Sequence, residues 1–262
     1  MARLRPTTLV PLCLFLVGAA SASDFGPGLA TVTTVQGDCN MQATDGARID
    51  PELHANIVID ATRIETGKDG RLALSLSNGL GLATGRSTSV EVIEFVQQPF
   101  EAERESLTEE PSRSKLHLRL DKGQIALAHP APSPLSDLRI LCREGELRFH
   151  RGRCVVAVDE AGTRIFTDEG SMTFVYPDGS GREFLAAGSA LLISPQSASR
   201  NAVALRGEAV PRDSRFAALS AAAQGSRLRV LHRPGPDGFA EHPMLVTPAK
   251  PADTETTPEK AK

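Results

Sequence analysis

The 262 residues carry 29 Lys and Arg against 32 Asp and Glu, a formal net charge of −3 that argues against a nucleic-acid binder. With 40% apolar residues, the chain can bury a proper core as one large all-β domain or two small ones. It has no Trp and one Tyr, Tyr176, so the rings that stack sugars or bases are scarce and a dedicated carbohydrate-binding role is disfavoured.

In chain order, the first feature is a leader. Arg3 and Arg5 precede an apolar run over 9–17, and small residues end at Ala20-Ser21-Ala22, the order of a cleavable secretory signal. Cleavage is expected after Ala22, making 1–22 a signal peptide and the rest periplasmic or secreted. The run is interrupted by Pro11 and falls well short of the roughly 20 residues that span a bilayer. Cys13 lies inside it with no small residue at a cut before it, which argues against a lipid-modified cysteine. No other segment is apolar for long enough to cross, so no stable membrane span is expected after cleavage. Loss of Arg3 and Arg5 takes the formal charge from −3 to −5.

Short alternating runs then follow at 32–35, 57–59, 72–76, 90–93, 116–120, 125–127, 138–142, 147–149, 154–158, 172–176 and 191–193. Gly pairs with a polar or small neighbour at the corners between many of them, as at Lys122-Gly123, Glu144-Gly145, Glu169-Gly170 and Asp178-Gly179. The clearest unit is 63–79: Leu72, Leu74 and Leu76 fall on one face, Arg71, Ala73, Ser75 and Ser77 on the other, with Asp69-Gly70 and Asn78-Gly79 as tight-turn chemistry at either end. This pattern predicts an all-β domain over 23–206, a sandwich or a short β-roll of stacked hairpins. Thr62-Arg63-Ile64-Glu65-Thr66 returns as Thr163-Arg164-Ile165-Phe166-Thr167, a faint echo expected to mark a repeated strand-turn-strand unit. Beyond the β-region, Phe216, Leu219 and Ala223 at helical spacing predict a helix over 212–224 ending at Gly225, packed on a sheet face or edge within a 207–233 segment that also holds a short strand. Six prolines after Arg233 predict a disordered tail over 234–262.

Three cysteines remain after cleavage, an odd number in a compartment where disulfides persist. Cys142 and Cys154 sit on adjacent alternating runs. A hairpin turning near Arg148 would let their sulfurs face each other, and a bridge closing that loop would contribute about 3 kcal/mol. The alternative is that they are small buried hydrophobes. Cys39 is then a free or intermolecular thiol. Between 97 and 115 the alternation stops, and Glu101, Glu103, Glu105, Glu109 and Glu110 gather in what reads as a long exposed loop, an acidic docking surface or a weak cation site on one reading and a solvated, mobile insertion on the other. Arg139, Arg143, Arg148, Arg151 and Arg153 lie among Asp137, Glu144 and Glu146, so cross-strand ion pairing is expected in preference to an anion patch.

The six histidines are scattered, and none sits in a His-Glu-x-x-His or nucleophile-elbow frame; no Cys or His spacing matches a zinc site. No catalytic residue, cofactor or metal is therefore expected. Four stretches carry a resemblance: Ala30-Thr-Val-Thr-Thr-Val-Gln-Gly37, Arg63-Ile-Glu-Thr-Gly-Lys-Asp-Gly-Arg-Leu-Ala-Leu-Ser-Leu-Ser-Asn-Gly79, Thr88-Ser-Val-Glu-Val92 and Leu118-Arg-Leu-Asp-Lys-Gly123. In this order and spacing the chain, over about residues 30–193, resembles the extracytoplasmic FecR domain. Two places depart from that pattern. Cys142-Arg143-Glu144-Gly145 stands where the family has Thr-Pro-x-Gly, and Arg151-Gly152-Arg153-Cys154 stands where it has Arg-Gly-Thr. The family's full regulators carry a cytoplasmic anti-sigma domain and a membrane helix; this chain starts with a signal peptide instead, so that role is not carried over. The resemblance implies an exported β-module for protein contact or ligand sensing, with another envelope protein or itself as partner. The alternatives are a self-associating structural envelope protein and, third, an unrecognised hydrolase.

Overall fold

Period-two alternation between glycine corners folds as strands throughout. The computed structural model of the protein describes residues 25–98, 110, 112–177, 179, 181–195, 203–206, 214–227, 230–235 and 238–243. The expected signal peptide over 1–22, Glu101, Glu103, Glu105, Glu109 and the chain after residue 243 lie outside the described residues. The strands are β1 (Gly26–Pro27), β2 (Leu29–Gln36), β3 (Cys39–Ala43), β4 (Arg48–Ile49), β5 (Asn56–Val58), β6 (Thr62–Thr66), β7 (Arg71–Leu76), β8 (Gly81–Thr84), β9 (Ser89–Gln97), β10 (Ser114–His129), β11 (Asp137–Cys142), β12 (Gly145–Asp159), β13 (Gly162–Val175), β14 (Arg182–Ala186), β15 (Ser189–Ile193) and β16 (Val203–Arg206). Among the described residues, one helix, α1 (Ser214–Ser226), follows, then β17 (Val230–Gly235) and β18 (Gly238–Pro243), which pair only with each other. That ribbon occupies the end of the expected short strand and the start of the expected tail.

The pairing builds two layers that share three strands. The first layer runs β5-β2-β7-β8, then the second half of β10, the second half of β12, the first half of β13, β15 and β16. The second runs β4-β3-β6-β9, then the first half of β10, β11, the first half of β12, the second half of β13 and β14. β10, β12 and β13 cross from one layer to the other at Gly123, Gly152 and Gly170. These glycines have φ of 90°, 99° and 76°. Gly152 and Gly170 face each other across the ladder, and a Cβ on Gly152 would lie 2.0 Å from Glu169 O. Only glycine permits that bend and that approach.

Two expectations are corrected here. The runs 116–120 and 125–127 are one strand, β10, and 147–149 and 154–158 are one strand, β12; the glycines between them bend the strand instead of ending it. The echo is not a structural repeat. Thr62–Thr66 ends in a turn in the second layer, whereas 163–167 lies in the first layer and runs on through Gly170.

Between the layers lies the core. Leu72, Leu74, Leu76, Leu82, Val90, Val92, Phe95, Leu116, Leu118, Ile125, Ile140, Val156, Ile165 and Phe174 are all buried in one cluster, and each fully buried leucine contributes about 2 kcal/mol. Asn78-Gly79 forms the β7–β8 turn as the sequence predicts, with Gly79 at φ 86°. The opposite face of β7 is not solvated. Ala73, Ala83, Ala126, Ala128, Val155 and Ala157 form a floor of small side chains on which α1 lies through Phe216, Leu219 and Ala223. Gly81 sets that approach, since a Cβ there would lie 1.9 Å from Ala223 O. Thr33 Oγ1 donates to Ser226 Oγ at 2.9 Å, Ser220 Oγ donates to Asp168, and Phe166 meets Phe216 at 4.6 Å. The helix continues past the expected stop at Gly225 because Ser226 Oγ bonds back to Ala222 O at 2.7 Å while anchored by Thr33.

Candidate functional site

At one end of the sandwich the chain must cross between layers outside the ladder. β10 ends in the first layer at His129, and residues 130–136 carry the backbone back to the second, where β11 runs parallel to the start of β10. The crossover sequence is Pro130-Ala-Pro-Ser-Pro134, and prolines, lacking N–H groups, leave no ladder donors to pair. Opposite it, β12 makes a bulge: Phe149 pairs Met172 and Arg151 pairs Ser171, so His150 is the extra residue. A bulge re-aims the side chains that flank it. Crossover and bulge enclose an open cleft of about 700 Å³. Leu138 and Phe149 form its apolar base, Pro130, Pro132 and Pro134 one wall, and His150 and Arg151 the other. Both of these last two are exposed. His150 Nε2 lies 2.9 Å from Thr173 Oγ1.

Glu110 also lines the cleft, but its carboxylate is engaged. One oxygen accepts from Ser114 Oγ, and the other accepts from Ser133 N at 2.6 Å. Ser114 Oγ in turn accepts from Asn78 Nδ2 at 3.0 Å, and Ser114 N donates to Ser136 Oγ at 2.8 Å. Burial pushes the Glu110 carboxyl above its ordinary value, opposed by Ser114, Ser136 and the Ser133 amide. Of the five glutamates expected in an acidic docking loop, this one is described, and it is 9% exposed and braces the crossover.

Behind this network sits His129, 2% exposed. Its Nε2 donates to Asn78 O at 2.9 Å, which fixes the neutral tautomer, and Nδ1 is buried without a partner among the described residues. Burial depresses its pKa to about 4; the bond to Asn78 opposes this, and the positive Arg227 beyond the end of α1 adds to it. Nothing in the sequence set His129 apart from the other histidines, because its environment is assembled by the Asn78-Gly79 turn and the helix, distant in the chain.

The remaining expected site residues fall elsewhere. Cys142 and Cys154 are free thiols, not a disulfide. The β11–β12 turn is at Arg143-Glu144, where Cys142 pairs Gly145, not near Arg148; Cys154 therefore pairs Leu127 in the other layer. Burial pushes both thiols up to about 12. Cys39 is also a free thiol; its Sγ donates to Gln36 O and Arg71 O at 3.4 and 3.3 Å, and its pKa is raised, first by burial.

Of the arginines expected to pair, all but one form ion pairs, though only Arg139 with Glu146 and Arg153 with Asp168 and Glu169 do so across strands as expected; the other pairs lie within one strand or turn. Arg139 meets Asp137 at 2.6 Å and Glu146 at 3.4 Å, Arg148 meets Glu146 at 2.7 Å, and Arg153 meets Glu169 at 2.9 Å. Arg143 clamps the buried Glu144 at 2.6 Å, whose other oxygen accepts from Thr163 Oγ1. Arg151, beside the cleft, forms no ion pair among the described residues. His117 lies between Glu94 at 3.3 Å and Asp137 at 3.1 Å. Burial opposes ionisation of Asp137, but Arg139 and His117 together hold its carboxyl below the usual range.

Among the described residues, no group of three His, Cys, Asp or Glu is placed to hold a metal ion, and no helix is long and apolar enough to cross a membrane. No family model matches this chain, and no curated protein matches it in sequence.

Proposed function

We propose that this chain is an exported, FecR-like, non-catalytic binding module of the cell envelope, periplasmic or secreted, which engages a ligand or another envelope protein through the cleft between the 130–136 crossover and the β12 bulge. The observation that carries this reading is the cleft itself, a roughly 700 Å³ opening with an apolar base and an exposed arginine at its edge, built on a rigid two-layer sheet. The basic, apolar and small-residue order of 1–22 supports export, and the ordered motifs over 30–193 support the FecR-like assignment.

A second reading, self-association, has its own support. β14 pairs with β13 alone and so is an edge strand, and Phe184 on it is 67% exposed. Site-specific photo-crosslinking in the host envelope separates the two. A crosslinker at position 133 is expected to capture one defined envelope component that a crosslinker at exposed Leu53 does not. Capture of the chain's own copies from position 184, with nothing from 133, would replace the first reading by the second.

A further inference from the structure

Resting on the reading of the cleft as the binding surface, we infer that its ligand is a small amphipathic monoanion, its charged end held by Arg151 and its apolar body laid over Leu138 and Phe149 against the proline wall. The first argument is charge accounting on the strands around the cleft. Arg139, Arg143, Arg148, Arg153 and Arg164 on β11–β13 and their turns each have a carboxylate within 3.6 Å. Arg151 has none among the described residues, although it lies two residues from Arg153 on the same strand. The ladder explains the difference, because Arg151 lies opposite Ser171 whereas Arg153, in the same register, lies opposite Glu169, and the bulge at His150 sets Arg151 beside the cleft.

The second argument concerns the carboxylate that would otherwise neutralise it. Glu110 lines the same cleft, yet both its oxygens are occupied by Ser114 and Ser133. Glu110 is therefore engaged by the crossover and does not pair with Arg151. A guanidinium offers parallel N–H donors that match a carboxylate or sulfonate, and a single one balances a single negative charge. His150 stands beside it with its Nε2 at Thr173 Oγ1, and Arg151 is the one Arg or Lys among the described residues that line the cleft, which favours a single negative charge over several.

The third argument is the lining. Leu138 is 3% and Phe149 4% exposed, so the base is closed and apolar, while the prolines add a rigid wall without hydrogen-bond donors. A volume of about 700 Å³ falls within the range that takes small molecules. A ligand that fills it gains its affinity from apolar contact and its orientation from one ion pair.

The test uses the full chain and 8-anilinonaphthalene-1-sulfonate, an aromatic body with one sulfonate, measured by calorimetry beside its uncharged analogue N-phenyl-1-naphthylamine. One site is expected. Arg151→Gln should weaken the sulfonate at least about tenfold and leave the neutral analogue unchanged. Ala131→Trp, which fills the cleft, should abolish both. Arg86→Gln, at an exposed arginine outside the cleft lining, should change neither. If Ala131→Trp abolishes binding while Arg151→Gln binds the sulfonate like the parent, the cleft stands and the anion inference is overturned. If Ala131→Trp also leaves binding intact, or the parent shows no site, the cleft reading falls with it. Circular dichroism of each variant establishes that the fold is retained.

Discussion

Lowering the pH should destabilise this protein through His129. The imidazole is buried and neutral, with Nε2 on Asn78 O and Arg227 nearby, and its pKa of about 4 lies well under the ordinary 6.5. Between those two values the unfolded chain binds a proton that the folded chain refuses, so stability rises with pH across that window and falls as pH is lowered through it. A depression of this size corresponds to about 3 kcal/mol, developed between pH 6.5 and about pH 4 and level below that. Carboxylates titrate in the same window, so the measurement is a difference: urea unfolding followed by circular dichroism for the parent and for His129→Gln, whose amide can still donate to Asn78. The variant should be the less stable protein at neutral pH, and its deficit should shrink by about 3 kcal/mol as pH falls to 4. Arg227→Gln should soften the same acid limb. Stability curves for parent and His129→Gln that stay parallel from pH 6.5 to 4 would refute the reasoning.

Gly81→Ala should lift the carboxyl end of α1 off its alanine floor, because the new Cβ meets Ala223 O; a loss of about 1–3 kcal/mol and faster hydrogen exchange in the last turns of the helix are expected. Glu110 has a raised pKa, so its charged form is the disfavoured one in the folded protein, and its contribution is largest below the ordinary 4.5 and declines as pH rises through the folded value. Glu110→Gln should therefore cost less stability at neutral pH than in acid, measured by the same unfolding assay. Maleimide labelling of the native protein should modify Cys39 first, with Cys142 and Cys154 protected until denaturant is added; a native mass 2 Da light, from a Cys142–Cys154 bridge, would contradict the free thiols.

The faces of the strands were readable from alternation alone. Leu72, Leu74 and Leu76 point into the core, Ala73 points away, and Asn78-Gly79 turns where its chemistry says it should. What alternation could not supply was what glycine does between two runs. Gly123, Gly152 and Gly170 look in sequence like Gly79, since each relieves a positive φ, and only the neighbouring ladder decides whether the chain reverses or bends. The same limit hid the cleft. Arg151 was one of five arginines among carboxylates, and its lack of an ion-pair partner among the described residues follows from Ser171 standing opposite it where Glu169 stands opposite Arg153. Likewise, the helix was evident from Phe216, Leu219 and Ala223, but its floor required knowing that β7, β8, β10 and β12 lie side by side.

The three bent strands have a kinetic consequence. Because β10, β12 and β13 each belong half to one layer and half to the other, neither layer can be completed before the chain has emerged through Val175. A fragment ending before Gly145 lacks the strands between β10 and both far edges, and a fragment starting after Gln97 lacks everything on the other side of β10. Folding therefore waits on contacts far apart in the chain, which places it among slow, high-contact-order folders, and unfolding should release both layers in one cooperative step.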